Sequence, residues 1–362
     1  GKNMKIVTIV GARPQFIKAA VVSRVLRKEH KEILVHTGQH YDYNMSKIFF
    51  KELNIPEPDY NLGISGGTHG KMTGAMLASI EEVLMKEKPD MLLLYGDTNS
   101  TLAGALAAVK LHIPVCHVEA GNRLGTLTNP EEINRICTDH VSSLLMCCTK
   151  SAVEFLKKEG LTRNVYLVGD PMYDAFIYYG DRLKDDFKES IFGLEGKRVN
   201  IPREYYYLTC HREENTGTDE ALLEVLDAMN NLDAVTIYPV HPRNRERVEE
   251  LCRQHKFEKI VLTQPVGYLT SIALVKNAKK IVTDSGGLQR EAFYAGVQCV
   301  TIFDYVVWPE TMVGNQNQLS RPNKQDILSK LAAKVEKDEN YQPFGDGHAA
   351  DKIVNIQNKF VK

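Results

Sequence analysis

Short apolar segments alternate with amphipathic segments along the first half of the chain. The apolar segments, which are typical of strands, are Lys5–Val10, Ile33–Thr37, Met91–Tyr95, Pro114–Glu119 and Leu144–Cys148. Segments with helical periodicity lie between them, at Pro14–Lys28, Met72–Met85 and Thr101–Lys110. Because strands that are apolar on both faces occur in parallel sheets covered by helices, this alternation predicts a doubly wound α/β domain.

The same alternation begins again after a charge-rich segment. Residues 170–203 show no clear period, and we place a domain boundary there. Further strands are predicted at Tyr205–Cys210, Ala234–Pro239, Lys259–Leu262, Ile281–Thr283 and Val297–Thr301. We therefore expect an N-terminal domain over residues 1–172, a second domain over 173–346, and a last amphipathic helix over about 347–361. The length of 362 residues agrees with two domains.

Charge and hydropathy exclude two broad classes of function. Lys and Arg number 45 and Asp and Glu number 46, so the net charge is −1. This balance argues against a general nucleic-acid binder, because such proteins present a basic surface. No apolar run approaches the roughly 18–20 residues that a membrane span needs. Residues 1–11 lack the features of a signal peptide, and residues 1–3 resemble a tag remnant ahead of Met4.

The cysteines and histidines indicate a reduced protein without a metal site. Seven cysteines form no CxxC pair, so we expect reduced, mostly buried thiols of a cytoplasmic protein. No set of His, Cys and carboxylate residues has the spacing of metal ligands. His112, His117, His140 and His255 are interpreted as structural or exposed.

A candidate anion site follows the first strand. Gly11 begins a turn that opens a helix, and Arg13 and Lys18 lie beside that helix N-terminus. Free N–H groups, the helix dipole and an arginine favour an anion there. The motif is neither GxGxxG nor a Walker loop, so it specifies neither NAD nor ATP. A surface turn with solvated charges is the alternative.

Three carboxylates follow strands of the first predicted sheet or begin the next helix. They are Asp97, Glu119 and Glu131. Carboxylates that converge at one sheet edge shift one another's pKa and can serve as acid and base. In the alternative interpretation, Asp97 and Ser100 are helix N-caps, and Glu131 and Glu132 only favour the helix dipole.

Two segments of the second domain carry further candidates. His211 follows the first strand of that domain, and a histidine that caps local backbone groups is the alternative. Ser285, Gly286 and Gly287 form a turn that opens a helix, whose free N–H groups could cradle a diphosphate. Glu291 lies on the first turns of that helix and could reach a ribose diol. A glycine-rich connection without a ligand remains the alternative.

These segments together resemble the non-hydrolysing UDP-N-acetylglucosamine 2-epimerase family. The motifs are GARPQFIKAA, VHTGQHYDYNMS, LYGDTNSTLAGALAA, HVEAGNR, PEEINR, CHREEN, HPRNR and DSGGLQREAF. Their order is specific, and the similarity covers about residues 5–320. The stretches GGTHGKMTG (66–74) and PVGYL (265–269) favour a subgroup that resembles epimerases of UDP-2,3-diacetamido-2,3-dideoxy-glucuronate.

The resemblance implies a fold, a reaction and an assembly. The fold is α/β, with two Rossmann-like doubly wound domains of glycosyltransferase-B type, an interdomain cleft, a C-terminal UDP-binding domain, and a last helix (about 347–362) packing back on the first domain. The reaction removes the C2 proton, eliminates UDP to a 2-acetamidoglucal and adds UDP back after reprotonation on the other face. It needs neither NAD nor a metal. The family is usually dimeric.

The resemblance also implies roles for individual residues. Acid/base and leaving-group roles fall on the set Asp97, Glu119, Glu131 and His211. Contacts to phosphate and nucleotide fall on the set Arg13, Lys18, Ser285, Gly286, Gly287 and Glu291.

One loop departs from the family pattern. Residues 303–310 read FDYVVWPE, where members of the family commonly carry Arg-x-x-Thr-Glu before the final residues. The specificity residues predicted from this loop are Phe303, Tyr305, Val306, Val307, Trp308 and Glu310. Apolar residues there should favour a less polar sugar substituent, because buried polar groups need partners. The remaining alternatives are a hydrolysing 2-epimerase, a glycosyltransferase of the same fold and a non-catalytic sensor.

Overall fold

The computed structural model describes residues 3–38, 47–306 and 308–360. The chain forms two compact units, Gly1–Ile177 with Gln342–Lys362, and Tyr178–Tyr341. The sequence placed the divisions at 172/173 and 346/347. The family motif around residues 39–46 lies outside the described residues, as does Val307.

The first unit is built on a seven-stranded sheet in which every pairing is parallel. Its strands are β1 (Lys5–Val10), β2 (Lys31–His36), β3 (Tyr60–Asn61), β4 (Met91–Tyr95), β5 (Val115–Val118), β6 (Leu144–Cys147) and β7 (Val165–Leu167). Their order is β3-β2-β1-β4-β5-β6-β7. The chain order reverses between β1 and β4, which is the position where doubly wound sheets bind ligands.

Helices of the first unit connect these strands. They are α1 (Arg13–Leu26), α2 (Lys47–Glu52), α3 (His69–Glu87), α4 (Asn99–Lys110), α5 (Pro130–Val141), α6 (Lys150–Lys158) and α7 (Pro171–Gly180). α3 and α4 pack on the sheet through an apolar cluster that includes Met76, Ile80, Leu92 and Leu94. The packing is close, because a Cβ at Gly104 would lie 2.8 Å from Leu94 Cδ2.

The second unit repeats this architecture with six parallel strands. They are β8 (Tyr205–Thr209), β9 (Val235–Pro239), β10 (Ile260–Thr263), β11 (Ile281–Thr283), β12 (Cys299–Thr301) and β13 (Asn317–Leu319). Their order is β10-β9-β8-β11-β12-β13, so the reversal lies between β8 and β11. The predicted class, two Rossmann-like doubly wound α/β domains, is confirmed.

The helices of the second unit follow its strands in the same way. They are α8 (Glu213–Thr216), α9 (Asp219–Asn230), α10 (Arg245–Gln254), α11 (Tyr268–Asn277), α12 (Gly286–Ala295) and α13 (Lys324–Leu331). Short 3-10 helices lie at Phe187–Ser190, Pro242–Asn244 and Pro309–Asn315. The segment 170–203, which has no clear period in sequence, contains α7 and the first of these 3-10 helices.

The last helix, α14 (Ala349–Phe360), belongs to the first unit, where it packs against α1. Asp174 on α7 holds its first turn, because its two carboxylate oxygens accept from the backbone N–H groups of Ala349 (3.1 Å) and Ala350 (2.9 Å). At the other end of the helix, Asn358 Oδ1 lies 2.6 Å from His30 Nε2.

Asp174 should make stability fall as pH rises. Burial raises its pKa from an ordinary 3.8 to about 6, although the two N–H groups partly oppose this. Between these values the folded protein binds more protons than the unfolded chain, so stability decreases with rising pH. The loss attributable to Asp174 is about 3 kcal/mol, since one pKa unit corresponds to about 1.4 kcal/mol.

Urea unfolding of the wild type and of Asp174→Asn at several values between pH 4 and pH 7 measures this effect. We expect the variant to show a flatter decline than the wild type. Asp351→Asn, an exposed position on the first turn of the same helix, is the control. Equal slopes for wild type and Asp174→Asn would contradict the assignment.

Candidate active site

Two of the predicted carboxylates emerge side by side from the first sheet. Asp97 follows β4 and Glu119 follows β5, and these strands pair in parallel with Tyr95 opposite Val118. Glu131 lies on the first turn of α5 and is exposed. Burial raises the pKa of Asp97; Glu119 and Glu131 raise it further, while Arg135 and Lys18 oppose the shift. The three carboxylates are therefore close enough to influence one another.

Asp97 is not the N-cap of α4, so that alternative is wrong. Thr98 is the cap, and its hydroxyl accepts from the N–H of Thr101. Ser100 lies inside the helix, where its Oγ is 2.7 Å from Thr37 Oγ1. Because Thr98 satisfies the helix terminus, the Asp97 carboxylate is available to pair with Arg135, at 3.3 Å from Nη1.

Glu119 occupies a strained and buried position. Its φ of 71° lies in the left-handed region, which side chains other than glycine seldom adopt. Its carboxylate forms an ion pair with Lys18, and both side chains are buried. Backbone strain at a buried charged residue is typical of functional sites, since it is retained only where the surroundings enforce it.

The two adjacent glutamates at the start of α5 differ in environment. Glu132 is buried, and Oε2 accepts from the N–H groups of Leu124 and Gly125, each at 2.7 Å. It also pairs with Arg135 at 2.9 Å. Glu132 therefore shapes the loop between β5 and α5, whereas the exposed Glu131 makes no such contacts among the described residues.

Arg135 and Asn134 are residues that the sequence did not single out. Arg135 pairs with both Asp97 and Glu132. Asn134 Nδ2 donates to the carbonyl oxygen of Asp97 at 3.0 Å and to Asn99 Oδ1 at 3.1 Å. The helical spacing of four between Glu131 and Arg135 could have indicated that Arg135 shares a face with the candidate acid.

A buried histidine fastens the two carboxylate-bearing turns. His117 Nδ1 lies 2.6 Å from Asp139 Oδ1, and Nε2 lies 2.7 Å from the carbonyl oxygen of Gly96. Burial alone would lower its pKa, but Asp139 and the Gly96 carbonyl raise it above the ordinary value. Asp139 Oδ2 also accepts from the N–H of Gly121 at 3.0 Å. The structural interpretation of His117 is confirmed.

The turn that precedes α1 has fewer hydrogen-bond donors available to an anion than the sequence predicts. Gln15 Oε1 already accepts from the N–H groups of Gly11 (2.7 Å) and Ala12 (3.2 Å). Lys18 is engaged by Glu119, and the Arg13 guanidinium lies 5.6 Å from the centre of the Phe49 ring. An anion contact at this turn therefore depends on the side chain of Arg13.

In the second unit, His211 is oriented by a buried carboxylate. His211 follows β8, and its Nδ1 lies 3.1 Å from Oδ1 of Asp284, which follows β11. Burial alone would raise the pKa of Asp284, but His211 and the N–H of Arg212 bring it below its ordinary value. Asp284 also accepts from Asn215 Nδ2 at 3.1 Å. His211 thus has a carboxylate partner rather than the backbone-capping role given as the alternative.

The Ser-Gly-Gly turn forms the N-terminus of α12. The Ser285 hydroxyl is the N-cap and accepts from the N–H of Leu288 at 3.3 Å. A Cβ at Gly286 would meet no atom closer than 3.8 Å, so a ligand can approach the backbone there. Glu291 is buried on the same helix. Asp284, immediately before this turn, was missed because its partners lie about 70 residues earlier in the chain, in the turn after β8 and on α8.

The side chains of loop 303–310 pack mostly within the second unit. Phe303 is buried and stacks on Tyr305, with ring centres 5.2 Å apart. Trp308 is buried beneath the Arg290 guanidinium, which lies 4.2 Å from its ring. Glu310 is partly buried at the start of a 3-10 helix, and Val306 is 37% exposed. Val306 is thus an exposed apolar side chain in the described part of this loop, together with Pro309.

Metal ligands and membrane spans are not found in the described residues. Within 3–38, 47–306 and 308–360, no group of three or more His, Cys, Asp or Glu residues is arranged to hold a metal ion. No helix in these ranges is both long and apolar enough to cross a membrane. All seven cysteines are free thiols and five are buried, as predicted.

A family model decides the relationship of this chain to known proteins. The model for UDP-N-acetylglucosamine 2-epimerase matches residues 24–358. The chain belongs to the UDP-N-acetylglucosamine 2-epimerase family. The resemblance carried by the motifs is therefore confirmed.

Curated members of the epimerase family match almost the whole chain. The chain is 48% identical to a UDP-N-acetylglucosamine 2-epimerase homolog of Methanococcus maripaludis, covering 98% of this chain and 99% of the relative. It is 45% identical to UDP-2,3-diacetamido-2,3-dideoxy-D-glucuronate 2-epimerase of Pseudomonas aeruginosa, covering 97% and 98%.

Solved structures give the same family and fold. The Methanocaldococcus jannaschii epimerase, in complex with UDP-GlcNAc and UDP, matches with a TM-score of 0.85 and 40% identity over 98% of this chain and 100% of that chain. Acinetobacter baumannii MurG, at 14% identity and a TM-score of 0.53 over 98% and 99%, supports the fold alone. The epimerase-family chain therefore has a glycosyltransferase-B-type fold.

Gly121 of the epimerase-family chain should tolerate no side chain. Its φ is 87°, and an added Cβ would lie 2.5 Å from the backbone oxygen of Ala152. We expect Gly121→Ala to cost roughly 3 kcal/mol, because a backbone segment must move. Gly125→Ala has a similar φ of 86° with nothing within 4 Å, so it should cost only about 1 kcal/mol. Urea unfolding of both variants measures the difference, and equal losses would contradict the clash.

Proposed function

We propose that this protein is a non-hydrolysing 2-epimerase of a UDP-2-acetamido sugar. The observation that carries the proposal is that Asp97 and Glu119 lie after neighbouring strands at one edge of the sheet. The pKa of Asp97 is raised, and Glu119 is a buried residue with a strained backbone. Family membership and the names of the relatives support it. The reaction inverts C2 of the sugar, so it needs groups that exchange a proton on both faces.

The first unit supplies the proton transfers in this proposal. A base takes the C2 proton, the electrons form the C1–C2 double bond of a 2-acetamidoglucal, and UDP leaves with the C1–O bonding pair. We assign acid/base roles to Asp97, Glu119 and Glu131. The raised pKa of Asp97 favours its protonated form, which suits an acid, while Lys18 compensates an ionised Glu119, which suits a base. A proton is then delivered to the opposite face of C2, and UDP adds back to C1 with the original configuration at C1.

The second unit supplies the leaving-group contacts in this proposal. His211 carries a proton on Nδ1 towards Asp284, which leaves Nε2 for the substrate. We assign diphosphate binding to the N-terminal turn of α12 (Ser285, Gly286 and Gly287) and ribose binding to Glu291. Arg13 is a further phosphate contact, whereas the predicted phosphate role of Lys18 is not retained because Lys18 pairs with Glu119. All atoms return to the product without net oxidation, so this reaction requires no redox cofactor.

The proposed substrate is UDP-N-acetylglucosamine or a modified derivative such as the 2,3-diacetamido uronate. The 45% identity to the Pseudomonas aeruginosa enzyme of that name supports the derivative. The stretches at 66–74 and 265–269, together with Phe303, Tyr305, Val306, Val307, Trp308 and Glu310, are the proposed specificity determinants. Hydrolysing epimerases, glycosyltransferases and sensors are not favoured by the matched relatives.

Proton NMR in D₂O tests the reaction directly. With UDP-N-acetylglucosamine, we expect a new UDP-manno anomeric signal and deuterium at C2. Free UDP with free N-acetylmannosamine would instead indicate a hydrolysing enzyme. An unchanged spectrum with this sugar and with the 2,3-diacetamido uronate would refute the proposal.

Substitutions test the assigned residues in the same assay. Asp97→Asn and Glu119→Gln should each lower the rate by about 10²–10⁴-fold, the usual contribution of general acid/base catalysis. Glu154→Gln, an exposed position on α6, is the control. Because Glu119→Gln leaves Lys18 buried without its anion, thermal unfolding is measured alongside. Full activity of folded Asp97→Asn would remove Asp97 from the mechanism.

We also propose that the protein is a cytoplasmic homodimer. Free, mostly buried thiols support a reducing compartment. The exposed face of α3 contains the small residues Gly74, Ala75 and Ala78 between charged residues, followed by Met85 at 59% exposure. Such a face permits close approach of a second helix and leaves an apolar residue to be covered.

Sedimentation velocity tests this assembly. We expect a dimer for the wild type and a monomer for Ala78→Arg, because a long charged side chain cannot be accommodated in a close helix contact. Leu167→Arg, at an exposed position on the edge strand β7, should remain a dimer. A monomeric wild type, or a dimeric Ala78→Arg, would refute the assignment of α3 as the interface.

A further inference from the structure

The guanidinium of Arg212 is held by three contacts at the carboxyl edge of the second sheet. Its Nε donates to the carbonyl oxygen of Asp284 at 2.9 Å, and Nη1 donates to the hydroxyl of Tyr305 at 2.6 Å. Its Cζ lies 4.4 Å from the centre of the Phe303 ring. A guanidinium fixed in this way has already lost most of its conformational freedom, so a ligand need not order it.

The two aromatic residues that contact Arg212, Phe303 and Tyr305, also stack on each other. Phe303 and Tyr305 stack with an interplanar angle of 9°, and Phe303 is buried. Cation–π attraction keeps a guanidinium on such a ring. The unusual aromatic residues of the loop therefore act on an arginine of their own unit.

The charge of Arg212 has no carboxylate partner among the residues that the structure describes. The nearby Asp284 carboxylate accepts from the backbone N–H of Arg212 but pairs with His211, not with the guanidinium. Within the described ranges, Nη2 of Arg212 donates no hydrogen bond. A partly buried guanidinium with one open edge is suited to a bidentate anion.

The position of this cation identifies the anion. The carbonyl that accepts from Nε belongs to the peptide between Asp284 and Ser285, and Ser285 is the N-cap of α12. The guanidinium therefore lies beside the turn whose N–H groups were assigned to the diphosphate. Arg243 is less suitable, since it is exposed and its guanidinium donates only to the carbonyl of His211, at 3.4 Å, among the described residues.

We propose that Arg212 binds the diphosphate of the UDP sugar and that Phe303 and Tyr305 are positioning residues for its guanidinium. This inference rests on the proposed function. When the C1–O bond breaks, negative charge grows on the diphosphate, and a fixed cation stabilises it without reorganisation. The aromatic loop then serves leaving-group binding through Arg212, in addition to any contact with the sugar.

Calorimetric titration of the full chain with UDP and with UMP separates this role from a structural one. Arg212→Gln should weaken UDP binding roughly 10- to 100-fold, the range for a hydrogen bond to a charged group. UMP should lose less, because it lacks the second phosphate. Arg212→Lys keeps the positive charge but lacks the two parallel N–H donors of a guanidinium, so its UDP affinity should lie between those of the wild type and Arg212→Gln. Arg321→Gln, an arginine with an 80% exposed side chain after β13, should bind both ligands as the wild type does.

Tyr305→Phe tests the positioning role with a minimal change. It removes the hydroxyl that accepts from Nη1 and leaves the ring stack intact, so folding should be preserved. We expect a loss of UDP affinity of about 3- to 10-fold, near that of one ordinary hydrogen bond, with a smaller loss for UMP.

Three outcomes would overturn the inference. If Arg212→Gln and Tyr305→Phe have the same ratio of UDP affinity to UMP affinity as the wild type, the guanidinium does not contact the diphosphate. Equal losses for both ligands, together with a lower melting temperature, would show a structural role. If the wild-type protein epimerises the sugar or binds UDP, either of these two results overturns only the inference about Arg212 and leaves the proposed function intact. If the wild-type protein binds neither UDP nor UMP, both the inference and the proposed function are overturned.

Discussion

The buried pair of His117 and Asp139 is the interaction on which the candidate site of the first unit depends. The imidazole joins the carbonyl of Gly96 to Asp139, and Asp139 in turn holds the N–H of Gly121. The turns after β4 and β5, which carry the candidate acid and base, are therefore tied through one ring. Burying charges is expensive, and Asp139 has a second cationic partner in Arg123, at 2.9 Å, which helps to compensate its buried carboxylate. The pair fixes geometry, whatever its net contribution to stability.

The second unit uses the same two groups for a different purpose. His211 and Asp284 follow two neighbouring parallel strands, β8 and β11, whereas His117 lies within β5 and Asp139 lies on α5. Asp284 is fully buried, but the side chain of His211 is 54% exposed. The buried imidazole of His117 can contact only neighbouring groups of the protein. The half-exposed imidazole of His211, which a carboxylate orients, is accessible to a ligand. Burial, and not residue type, separates the structural histidine, His117, from His211, the histidine with a proposed role in the reaction.

Sequence reasoning succeeded where a residue's own neighbours determine its structure. β1, β4 and β11 begin and end at the predicted residues, because each is a short apolar run with a distinct change of residue type after it. β3, β7 and β13 were missed, since they are only two or three residues long and exist through pairing with a neighbouring strand. The adjacency of Asp97 and Glu119 follows from strand order. The partnerships of Asp139, Arg135 and Asp284 do not, because they join distant segments.

The distribution of charge in each unit matches one half of the proposed reaction. In the first unit Glu119 pairs with Lys18, and Asp97 shares Arg135 with Glu132, so both carboxylates have a cationic partner within the fold and are suited to exchanging protons with a neutral C–H group. In the second unit the carboxylate of Asp284 is saturated by its own neighbours, and the guanidinium of Arg212 is left with an open edge. A leaving diphosphate requires that excess positive charge, while proton transfer at C2 does not. An elimination of UDP therefore requires carboxylates with cationic partners, as in the first unit, and a cation without a carboxylate partner, as in the described part of the second unit.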